Sequence, residues 1–237
     1  PAREPAEFAR AAGLLRDFGR VRPDGRLLLD GPGDPLRHPA VYDLTGLGDE
    51  IGLSCVSLRT DLLSDRFDAQ RLASSGIGVL TVDLLCTDAP TYAALTGVDG
   101  HGMVMRRIDE VASARELSAG LNIPWILPRM TKCEAAMDSI EAFYDAWIMT
   151  MGSAVIDPVP AWSGDRIRPL PIPDDRSRQL DRNVIRVRSD GAVCDARWRS
   201  IGDVSAFDAG FEAAFEAWRA WIVSSSEQAD VRAGSAA

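Results

Sequence analysis

The stretch LLLDGPGDPLRHPAVYDL, Leu27 to Leu44, decides the architecture. Its first residues are apolar without alternation, as in a strand covered on both faces. They run into Asp30-Gly31-Pro32-Gly33-Asp34-Pro35, a composition that ends a strand and turns the chain. Gly31 and Gly33 let a ligand approach the backbone closely, and Pro32 and Pro35 stiffen the turn. A helix near Val41 to Ile51 follows, which completes one strand, loop and helix unit.

Outward from this unit the pattern repeats. Toward the C-terminus the reading gives strand Leu53–Leu58, helix Asp65–Ser74, strand Gly78–Val82 and helix Met103–Ala119. Strand Pro124–Leu127, helix Met137–Met151 and strand Ala154–Ile156 complete the series. Toward the N-terminus, strand Arg26–Asp30 is preceded by an amphipathic helix from Ala6 to Gly19, with Phe8, Ala11, Leu14, Leu15 and Phe18 at helical spacing. Short apolar strands alternating with helices predict an α/β fold with a parallel sheet, either a (βα) barrel or a doubly wound sheet.

Beyond Pro158 the character changes. Pro160 to Asp181, rich in Pro, Asp and Arg, reads as a connector. Val184–Val187 and Ala192–Ala196 flank Ser189-Asp190-Gly191, a hairpin signal, and Phe207–Val223 is a last amphipathic helix. The tail from Ser224 has the composition of a disordered segment.

The net charge of −9 argues against nonspecific nucleic-acid binding, which needs clustered cations. No apolar run reaches the roughly 20 residues that cross a bilayer. Cys55, Cys86, Cys133 and Cys194 lie far apart, without the Cys-x-x-Cys spacing of a zinc or redox site, so they read as reduced thiols in a cytoplasmic protein. Lys132 is the only lysine beside many arginines, as high-GC coding produces. The first residue is Pro rather than Met, which suggests that an upstream part has been removed.

In a parallel βα architecture ligands bind where the carboxyl ends of the strands converge. That rim would carry Asp30 to Pro35, then Arg59-Thr60-Asp61, then Thr81 and Asp83, then Arg129 and Thr131, then Asp157 and Pro158. Each alone suits a turn or a helix cap, but five successive strands deliver polar groups to one edge. Asp34 and Asp83 are expected on neighbouring strands, with Thr60 and Arg129 facing the same cavity. A strand-end carboxylate such as Asp83 is expected to add little to stability.

Five segments resemble the radical S-adenosylmethionine (radical SAM) superfamily, in the branch with a SPASM-like C-terminal extension. LLLDGPGDPLRHPAVYDL resembles its second strand and Gly-Gly-Glu-Pro-type loop, which implies a role for Gly31, Gly33, Asp34 and Pro35 at the SAM amino group. VSLRTDLL, Val56 to Leu63, is similar to the third strand and implies Thr60 and Asp61 near the cofactor. VLTVDLLCTDAPTYAALTGVDG, Val79 to Gly100, is similar to the fourth strand, with Thr81 and Asp83 near the SAM ribose. IPWILPRMT, Ile123 to Thr131, resembles the fifth, with Arg129 near the SAM carboxylate. VIRVRSDGAVCDARW, Val184 to Trp198, with the following IGDV, resembles the SPASM pattern and gives Cys194 the place of an auxiliary-cluster ligand.

The resemblance also defines what is missing. The Cys-x3-Cys-x2-Cys loop that follows the family's first strand, and binds its [4Fe–4S] cluster, does not occur in this sequence, so metal ligands are expected to be none. It implies a partial (βα) barrel of the radical SAM type over residues 1–160, a SPASM-like hairpin and helix over 161–223 and a disordered tail over 224–237. The implied function is a segment of a radical SAM enzyme that binds SAM and, with the cluster loop of the intact parent, generates a 5′-deoxyadenosyl radical. The implied substrate is a peptide or protein, with no nucleic-acid or membrane partner. Two other readings stand beside it: a cluster-free binding or scaffold subunit, and a βα-barrel lyase or hydrolase using Asp83 and Asp157 as acid and base, with Arg129 on a substrate carboxylate.

Overall fold

The computed structural model describes residues 4–31, 33–117, 123–158 and 183–234. The chain divides into two compact units, residues 23–171 and a second unit built from residues 1–22 with 172–237.

The larger unit carries five parallel strands, β1 (Arg26–Leu29), β2 (Cys55–Thr60), β3 (Val79–Leu85), β4 (Trp125–Lys132) and β5 (Val155–Pro158), in the order β1-β2-β3-β4-β5. Its helices are α2 (Val41–Glu50), α3 (Ala69–Ser74), α4 (Ala89–Thr96), α5 (His101–Leu117) and α6 (Ile140–Met151). Sequential strand order makes every right-handed crossover step in the same direction, and this puts the helices on one face of the sheet. The packing agrees: Leu58, Leu80, Val82, Leu84, Ile126 and Met130 share one buried cluster with Tyr42 of α2, Leu72 of α3, Tyr92 of α4, Ile108 of α5 and Phe143 of α6. The doubly wound alternative needs helices on both faces and does not describe this sheet. β1 and β5 are not paired with each other, so the described strands form an open sheet.

The strands outrun their expected ends. β2 continues through Arg59 and Thr60, β3 through Asp83 to Leu85, and β4 through Arg129 to Lys132. Polar side chains looked like loop residues in the sequence, but here cross-strand partners satisfy them. Helix α4 was not foreseen, although its signals are local: the Asp88 side chain accepts from the Thr91 amide at 2.8 Å, Pro90 sits in the first turn, and Gly97 closes the helix at φ 77°. Because that backbone region strains any L side chain, Gly97→Ala is expected to lower the unfolding free energy by about 1–2 kcal/mol, read by urea denaturation.

The smaller unit contains α1 (Phe8–Val21), an antiparallel sheet of β6 (Arg186–Val187), β7 (Ala192–Cys194) and β8 (Ser200–Ser205), and α7 (Ala206–Gly234). The expected hairpin is present and gains a third strand from the IGDV segment. Helix α1, placed in the barrel by the sequence reading, belongs to this unit instead: Phe18 meets Phe211 with ring centroids 4.9 Å apart. Helix α7 breaks at Gly210 (φ 83°, ψ 171°), where the Asp17 carboxylate accepts from the Phe211 amide at 2.7 Å. The Arg20 hydrogen bond, and then this amide, hold the Asp17 carboxyl below its ordinary range. Beyond Ser224 the helix continues to Gly234, where composition suggested disorder; Ala, Glu, Gln and Arg in that segment are helix formers. The expected connector Pro160–Asp181 and the Pro32 position lie outside the described residues.

Candidate binding site

Side chains alternate across a strand, so register fixes which charges meet. Leu58 and Val82 point into the helix-packed core, and Arg59, Thr81 and Asp83 therefore point to the opposite, helix-free face, which no described helix of residues 23–171 covers. Asp83 stands opposite Arg129 in register, and Thr131 opposite Asp157. Toward the carboxyl ends of the strands this face carries one charge per strand, in alternating sign: Asp30, Arg59, Asp83, Arg129, Asp157.

The contacts run without a gap. Arg59 donates from Nη1 to Asp30 Oδ2 at 3.2 Å and from Nε to Asp83 Oδ2 at 3.0 Å and Oδ1 at 3.1 Å. Arg129 donates from Nη1 to Asp83 Oδ1 at 2.9 Å and from Nε to Asp157 Oδ2 at 2.8 Å. The side chain of Arg129 is 3% exposed, that of Arg59 11%, and that of Asp157 47%, so the row opens to solvent at its β5 end. Burial pushes the Asp30 carboxyl up, against the pull of Arg59. Burial also lowers Arg59, but the Asp83 and Asp30 charges outweigh it and the guanidinium ends above its ordinary value. Three carboxylates against two guanidiniums leave the row with a formal charge of −1, which suits a cationic ligand.

A second cluster lies at the ends of β1 and β2. Asp34 Oδ1 accepts from the Leu36 amide at 2.9 Å, capping the 3-10 turn Pro35–Arg37. Thr60 Oγ1 accepts from the Leu62 amide at 2.9 Å and Asp61 Oδ1 from the Leu63 amide at 2.8 Å. Asp34 Oδ2 is buried and makes no hydrogen bond of ordinary geometry, although the Thr60 side chain lies close enough to favour the charged form. Burial, then a hydrogen-bond contact and charge from Asp61, push the Asp34 carboxyl up to about 8.

The expected site residues thus fall into two groups. Thr81, Asp83 and Arg129 share the helix-free face. Thr60 does not join them: it is 2% exposed on the core side of β2, because it is one residue out of phase with Arg59. Asp34 follows β1 and Asp83 lies within β3 near its end, but β2 lies between β1 and β3, so those strands are not neighbours. Gly31, at φ 153°, donates its amide to Asp30 Oδ1 at 2.7 Å and uses the freedom that glycine has. A side chain at Gly33 would meet open space, so crowding does not require glycine there. Pro35 opens the 3-10 turn.

Asp30 and Arg59 appeared at the rim in the sequence reading without a role, and they prove to be the first two members of the row. Only the register reveals their alternation of sign. Arg129 stands between Asp83 and Asp157 and is ion-paired with both, at 2.9 and 2.8 Å. His38 is a turn residue whose Nδ1 accepts from the Ala40 amide at 3.1 Å. Cys86, Cys133 and Cys194 are buried. Among the described residues no three His, Cys, Asp or Glu side chains are arranged to hold a metal ion.

No family model matches the chain, and no curated protein matches it.

Proposed function

We propose that this chain is the SAM-binding part of a radical SAM-type partial barrel, with its helix-free face as the inner wall and a peptide or protein as the substrate of the intact enzyme. The observation that carries the reading is the row from Asp30 to Asp157, which gathers five polar strand-end residues onto one face of a singly wound parallel sheet. The pattern across that face supports it. Leu28 and Trp125 are half-exposed apolar residues that precede Asp30 and Arg129 along their strands, and the row follows toward the strand ends, as in a barrel with a polar mouth.

The donor set fits SAM. Carboxylates of the row would accept hydrogen bonds from ribose hydroxyls and offset the sulfonium charge, and the Gly31 turn would leave the backbone open to the methionine part. Asp34, which the resemblance assigns to the amino group, holds a proton in the free chain, so an ammonium there takes the place of that proton. When bound, SAM supplies a 5′-deoxyadenosyl group for hydrogen abstraction after its sulfonium accepts an electron. The described residues do not fit an iron-sulfur cluster, and the chemistry assigned to this chain stops at binding.

Calorimetric titration of the chain with SAM tests the reading. Binding is expected in the range of about 0.1–1 mM, with release of a proton at pH 7, and S-adenosylhomocysteine, which lacks the positive charge, should bind more weakly. Absence of binding, or equal affinity for the two, overturns it.

A further inference from the structure

We infer that Arg59 is a positioning residue that ties the Gly31 loop to Asp83, so that the two parts of the proposed SAM site move as one; this rests on the SAM reading. The resemblance gives Arg59 no role. Its planar guanidinium is engaged from two sides at once, through Nη1 by Asp30 and through Nε by Asp83. Asp30 in turn accepts from the Gly31 amide through its other oxygen, Oδ1, at 2.7 Å. The path from the turn to the β3 carboxylate is therefore Gly31 amide, Asp30, Arg59, Asp83, three links that are all hydrogen-bonded.

The geometry requires arginine. A lysine ammonium is one point donor on a flexible stem and cannot hold Asp30 and Asp83 with the fixed separation of Nη1 and Nε. At 11% side-chain exposure Arg59 is shielded from water, and removing it leaves Asp30 and Asp83 turned toward each other with like charge. The loop is then released where glycine already gives the backbone its widest freedom, at Gly31.

The test uses the whole chain and the variants Arg59→Lys, Arg59→Gln and Asp30→Asn, with two readouts. The first needs no ligand: amide hydrogen exchange at Gly31, followed by NMR. Exchange is expected to speed up about tenfold or more in Arg59→Gln and in Asp30→Asn, and the two together should not add, because they cut the same path. The second is SAM affinity, expected to fall about tenfold in Arg59→Gln, with Arg59→Lys giving little rescue. Unchanged exchange at Gly31 in folded Arg59→Gln, or full rescue by lysine, overturns the tether. If wild type binds no SAM, the SAM reading fails and the positioning role falls with it, while exchange still decides whether the tether exists. If exchange rises but affinity holds, Arg59 organises the loop without positioning the ligand, and the inference is overturned.

Discussion

Asp83→Ala is expected to lower the unfolding free energy by about 3–5 kcal/mol, the cost of removing one partner from a buried charge pair. Asp83 is the only carboxylate of the row held by two guanidiniums, Arg59 on one side and Arg129 on the other. Arg129 sets the size of the loss: at 3% side-chain exposure it cannot recover water, and its remaining partner in the row is Asp157, which is half in solvent. These two partners are the reason to expect a large loss at a strand-end position that by itself would add little to core packing. Asp83→Asn, which keeps an acceptor and the shape, should lose about half as much, because charge-assisted hydrogen bonds are roughly twice as strong as neutral ones. Urea denaturation at pH 7 measures both, and an alanine variant within about 1 kcal/mol of wild type would show that the row contributes charge but not stability.

The second large effect is on pH. The carboxyl of Asp34 is pushed up to about 8 by burial first and by Asp61 second. An unfolded aspartate titrates near 4. Below pH 4 both states hold the proton and the carboxyl costs nothing. As pH rises from about 4 to about 8 the unfolded chain releases its proton while the folded chain keeps it, so stability falls, by at most about 1.4 kcal/mol per pH unit for one proton. Above about 8 the folded state has also released it and the loss levels off. Asp34→Asn removes this titration and should be the more stable protein at pH 8 but not at pH 4. Thermal unfolding of both proteins across this range reads the difference, and parallel pH profiles would show that Asp34 is an ordinary carboxylate.

Much of the fold was legible because its signals are local. Leu27 to Leu29, the Gly-rich turn and the helix from Val41 specify a βα unit within 25 residues, and its repetition specifies the parallel sheet. The Asp190-Gly191 turn specified the hairpin in the same way, with Gly191 at φ 87°. What escaped depends on partners distant in sequence. The ends of β2, β3 and β4 were drawn short because Arg59, Asp83 and Arg129 read as loop residues until their cross-strand partners are known. Thr60 was assigned to the cavity because its neighbours in the chain face it, whereas one step along a strand reverses the face. Helix α1 was attached to the sheet that follows it, but its apolar stripe meets α7, nearly 200 positions away.

That last separation shapes how the chain is made. Arg10 meets Asp208 and Asp17 meets Phe211 across 198 and 194 positions. A ribosome adding about 5–20 residues per second leaves α1 waiting roughly ten to forty seconds for its partner to emerge. During that interval the intervening 23–171 segment is made and can collapse on its own core before α7 emerges. The unit that contains α1 is thus assembled after the 23–171 unit, and the apolar stripe of α1 stays open to chaperones until α7 emerges.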